Sequence, residues 1–211
     1  MNTGSLSPFA ARFYGVAVIV APLLLLASTV AFLTAGEGIN QGVLGNTMGV
    51  WVAFTFAIAI VGILRMVEPR APRAAPILTA IALAGFCGGV AINIDYLFIE
   101  LGGPAFNAAI NEAVDAQPVA ILALLPWGWF GPLSFILVGI FLWRTRTTAW
   151  WNGALLIAGG VLFVAGRPAT IDALALAADA VLILALVPVG LAMIASARTR
   201  PTAERVVAPT T

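Results

Sequence analysis

Residues 12–34 read RFYGVAVIVAPLLLLASTVAFLT, and no charge interrupts the chain between Arg12 and Glu37. A helix rises about 1.5 Å per residue and the hydrocarbon core of a bilayer is about 30 Å thick, so a run of this length can cross it. Arg12 in front and the small residues Ala35 and Gly36 behind give the stretch the outline of a secretory signal. Its apolar part exceeds the roughly 7–15 residues of a signal's apolar region, so it is expected to be a retained first span.

The rest of the chain repeats this pattern. Of 211 residues, 62% are hydrophobic and only 9% are charged. One soluble core of ordinary size cannot bury that much apolar surface, so lipid must be the solvent for most of it. Breaks at clusters of glycine, proline and charge predict spans at 13–34, 48–64, 77–99, 118–143, 152–166 and 173–195. The fifth is short for a crossing. The predicted fold class is therefore all-α, an integral membrane bundle of six transmembrane helices forming a single domain over 1–198. Residues 199–211, rich in proline, threonine and arginine, lack apolar periodicity and are expected to form a disordered tail.

Arginine sorts by side. Arg12, Arg65, Arg70, Arg73, Arg144, Arg146, Arg198, Arg200 and Arg205 fall on one side of a six-span arrangement, and Arg167 alone falls on the other. That other side carries Glu37, Glu100, Glu112, Asp115 and Asp172. By the positive-inside rule the arginine side is cytoplasmic and so are both termini, which predicts a multi-pass protein of a bacterial-type plasma (inner) membrane. A five-span arrangement would scatter the arginines over both faces.

Missing residue types exclude chemistry. There is no histidine, and all ten basic residues are arginine. A histidine-ligated haem or zinc, a lysine Schiff base and a histidine base are thereby removed. Cys87 is the single cysteine, which forbids intramolecular disulfides. No phosphate-binding glycine loop, metal cluster or nucleophile triad is present, so neither metal nor cofactor is expected. The arginines adjoin spans, and lipid headgroups rather than nucleic acid are their expected partners.

Two carboxylates lie at membrane depth, where an ionisable group costs about 3 kcal/mol or more and needs a partner. Asp95 falls near the end of span three and Asp179 near the start of span six, so both belong to the outer half. This shared depth suggests one site and a packing of span three on span six. Asn93 and Tyr96 flank Asp95, and Arg167 is available as a counter-ion. In span four, Pro126, Trp127, Gly128, Trp129, Phe130, Gly131 and Pro132 predict a loosened helix whose aromatics wall a pocket for an apolar or cationic ligand. Gly85 with Gly89, and Gly159 with Gly160, predict close helix packing. Between spans three and four, Phe106, Ile110 and Val114 share one face opposite Asn107, Asn111, Glu112 and Asp115, predicting a surface helix over 104–116 that can cap a cavity.

The expected site residues are thus Asp95, Asp179, Asn93, Tyr96, Trp127, Trp129 and Arg167. The expected function is to bind or pass a small ligand or a proton through an outward-facing cavity. Two alternatives stand beside it: a membrane-embedded enzyme acting on a lipid or isoprenoid by aspartate acid catalysis, and a structural subunit of a homo- or hetero-oligomeric membrane complex.

Overall fold

The computed structural model describes residues 6–198, and their side chains except those of 120–127. The chain forms helices α1 (Pro8–Ala35), α2 (Val43–Val67), α3 (Ala74–Ala116), α4 (Ile121–Thr145), α5 (Trp150–Gly166) and α6 (Asp172–Arg198), with a 3-10 turn at Pro118–Ala120 before α4. Five are long and apolar enough to cross a membrane. The exception is α5, whose 17 residues span about 25 Å by helical rise. The tail 199–211 lies outside the described residues.

Local chemistry sets the helix limits. The Ser7 hydroxyl accepts from the Ala10 amide at 3.2 Å, and Pro8 occupies the first turn of α1, where its missing N–H is harmless. Gly103, at φ 72° and ψ −173°, interrupts α3 in a conformation that suits glycine, and Pro104 starts the next segment. The surface helix expected over 104–116 is thus the part of α3 beyond this break. The loosening expected in span four is not seen as an interruption, since α4 runs through Gly128–Pro132 as one helix. Pro132 has no N–H, which leaves the Gly128 carbonyl without its helical donor. The Ser134 hydroxyl donates to the Gly131 carbonyl at 2.5 Å.

Each helix packs on its neighbours in the chain, and α6 closes on α1, so the six form a ring. α2 also touches α4. α3 and α6 make no contact, which corrects the packing of span three on span six. They stand on opposite walls.

The cavity of the ring lies toward its acidic end. Toward the arginine-bearing end, Ile60, Ile63, Val138, Leu142, Leu156, Leu186 and Met193 are buried. Glycines let backbones approach there. A Cβ on Gly15 would stand 2.8 Å from the Gly190 carbonyl oxygen of α6, and one on Gly153 would stand 2.6 Å from that of Gly139 in α4. The predicted small-residue contacts are also present: Gly89 faces Ala53 of α2, Gly85 meets the backbone at Gly131, Gly159 meets Leu182 of α6 and Gly160 meets Phe135 of α4. Trp51, Trp143 and Trp150 lie exposed on the outside.

Overpacking costs about 1–3 kcal/mol. Gly153→Val should therefore lower the thermal unfolding temperature of the detergent-solubilised protein, whereas Trp150→Phe on the exposed surface should leave it nearly unchanged.

Candidate functional site

Four phenylalanines from four helices close the filled end. Phe56 of α2 stacks on Phe86 of α3 with centroids 5.6 Å apart, and Phe135 of α4 meets both, at 5.0 and 5.6 Å. Phe163 of α5 joins Phe135 at 6.2 Å. Counted along their helices, the four sit roughly 15–20 Å from the arginine-bearing end. Above them the ring is hollow.

The hollow has a volume of about 550 Å³. Leu25, Val52, Ile92 and Val164 supply much of its apolar wall beside the phenylalanines. Asn40, Val114 and Pro168, from the connections at the acidic end, border it as well, so the surface segment of α3 reaches over it through Val114.

A buried ion pair braces one wall. Arg167 follows the last residue of α5, and because that helix is short its guanidinium lies inside the bundle, 8% exposed. Its Nη2 donates to Oδ1 of Asp179 at 3.3 Å and to Oγ1 of Thr29 at 2.5 Å. The Thr29 hydroxyl donates in turn to Oδ2 of Asp179 at 2.5 Å; the Leu25 carbonyl at 3.1 Å is the more distant acceptor for the same proton. Arg167 also stands 5.0 Å from the centroid of Phe163, a cation–π arrangement. Its backbone carbonyl accepts from the Asn40 side chain at 3.1 Å, and the Asn46 side chain donates to the Asn40 carbonyl at 3.2 Å. Four helices, α1, α2, α5 and α6, and one loop are tied together in this way. Two buried charges give up much hydration, and mutual attraction with hydrogen bonds offsets that loss only when the geometry is kept.

Asp95, Asn93, Tyr96, Trp129 and Arg167 all line the hollow. Asp179 does not; it sits behind Arg167, wholly buried. Asp95 and Asp179 do lie at similar depth, about 30 Å along their helices from the arginine-bearing end. They belong to different walls, and Arg167 is the partner of Asp179. Asn93 donates to the Gly89 carbonyl of its own helix at 2.7 Å and packs on Gly49 of α2. The Trp127 side chain lies outside the described residues.

Thr29 is the contact in this network that the sequence did not offer. Its one visible signal is the pair Ser28–Thr29 inside an otherwise apolar span. Ser28 borders the hollow and donates to the Gly45 carbonyl at 2.9 Å, which ties α1 to α2. Among the described residues no cluster of side chains suited to holding a metal ion occurs.

Compared with known proteins, the chain matches no family model, no curated protein and no solved structure.

Removing one member of a buried pair costs about 3–5 kcal/mol, because the other charge is stranded. Arg167→Met and Asp179→Leu should each lower unfolding stability in detergent strongly. The double variant should lose less than the sum of the two, and an additive double-mutant cycle would contradict the pairing.

Proposed function

We propose that this membrane protein binds a small, largely apolar ligand in the hollow between its helices, entering from the acidic end. The observation that carries this is the cavity itself. A volume of about 550 Å³, with apolar walls and a few polar groups, is the form that small-molecule sites take. The polar groups come from different helices: Asp95 and Tyr96 from α3, Arg167 at the end of α5, and Asn40 from the first loop.

The sorting of arginine supports a bacterial-type inner membrane with both termini cytoplasmic and the cavity open outward. Asp179, with one oxygen facing Thr29 and the other Arg167, serves as the counter-ion of Arg167 rather than as a proton carrier. The chemistry open to a ligand therefore falls to Asp95, Tyr96, Trp129 and the exposed side of Arg167.

Two measurements test the parts of this proposal. In lipid nanodiscs, the neutral dye 1-aminoanthracene should bind saturably, one per chain, and quench tryptophan emission, with empty discs as the reference. Val164→Trp, which puts an indole into the hollow, should abolish this binding. Binding unchanged by that variant would sink the cavity role. For orientation, single cysteines at Asn107 and Thr148 in a Cys87→Ala background should be labelled differently by an impermeant maleimide on intact cells. Position 107 should react and position 148 should not; the reverse pattern would invert the topology.

A further inference from the structure

We infer that the ligand is a lipophilic cation whose charged head sits at Asp95 over the aromatic walls of the hollow. This rests on the cavity-binding role proposed above and specifies its ligand class. The charges in and behind the wall do not balance. Arg167 is matched by Asp179, whereas Asp95, on the facing wall, makes no ion pair among the described residues. A carboxylate at membrane depth needs a cation, and an occupant can supply one.

Three further features of the wall attract positive charge. The first is aromatic: Phe56, Phe86, Phe135, Phe163, Tyr96 and Trp129 line the hollow, and aromatic rings attract ammonium groups that reach their faces. The second is the Gly128 carbonyl, which Pro132 deprives of its helical donor, on a residue that lines the hollow. The third is the field at the entrance. Glu37, Glu100, Glu112, Asp115 and Asp172 all belong to the acidic end, and Arg167, the one arginine there, is already neutralised by Asp179. None of these five carboxylates lines the hollow itself, but their summed negative charge at that end draws cations toward it.

Arg167 does not reverse this balance. Its Nε is buried away from the cavity surface, and its Nη2 is taken by Asp179 and Thr29. A second full negative charge is not required there, since the guanidinium has its counter-ion. An anionic ligand would instead have to sit in the same hollow as Asp95, which makes no ion pair among the described residues.

The test uses a size-matched pair, benzyltrimethylammonium and its hydrocarbon analogue neopentylbenzene, with benzenesulfonate as the anion. Equilibrium dialysis against the full chain in nanodiscs, corrected for empty discs, measures each. Asp95→Asn should weaken benzyltrimethylammonium about tenfold or more, the size of one close unlike charge lost from a partly desolvated site, and leave neopentylbenzene unchanged. Asp95→Glu should retain cation binding. Val164→Trp should remove both compounds. The inference is overturned if Asp95→Asn affects cation and hydrocarbon equally, or if benzenesulfonate binds as tightly as the cation. Should the hydrocarbon bind and the cation not, the cavity role survives and the ligand class alone is wrong. If none of the three binds and 1-aminoanthracene also fails, the cavity role falls with it.

Discussion

The pairing of Arg167 with Asp179 through Thr29 is the constraint on which the hollow end of this bundle depends. At the filled end, the helices are held by interdigitating apolar side chains and by glycine contacts that bring backbones together. At the hollow end packing contacts remain, since Gly45 meets Phe32, Gly166 meets the backbone at Leu174 and Ala175, and Phe32, Ile39 and Ala175 are buried together. The charge-assisted network adds a tie among α1, α5 and α6 beside the cavity, and breaking it strands a charge. Packing thus holds both ends of the six helices, and the ion pair braces the end that carries the cavity.

Small and aromatic residues fit this arrangement. Gly15, Gly139, Gly153 and Gly190 sit where backbone meets backbone, and the four stacked phenylalanines mark the level at which the hollow begins. Above that level the helices are kept apart by loops with their own anchoring. Asn40, at a positive φ of 68°, holds the first connection to the carbonyl of Arg167. Ile39 of the same loop is fully buried with Phe32 and Ala175. The entrance is bordered by segments tied to the ion pair or to the start of α6.

Much of the fold was legible because hydropathy and length are one-dimensional properties. Six apolar stretches became six helices, and the break at Gly103 with Pro104 marked where α3 leaves the bundle. The closure of the ring was not legible. Helical rise puts Asp95 and Asp179 at one level, but depth is a single coordinate and says nothing of which wall a residue occupies. Thr29 was invisible for a different reason. Thr34, Thr47, Thr55 and Thr79 bond the carbonyl four residues before them, as threonines in apolar helices generally do. A threonine that also bridges two charges looks the same in sequence. Arg167 was conspicuous because it stands alone among the acidic residues of its side.

The shortness of α5 has a mechanical side. A span of about 25 Å in a hydrocarbon layer of about 30 Å leaves a mismatch that the bilayer meets by thinning locally or the helix by drawing on its flanks. One flank of α5 is the exposed pair Trp150 and Trp151; the other is Arg167, fixed inside the protein by Asp179 and Thr29. A pull along α5 would therefore reach the residue that lines the hollow.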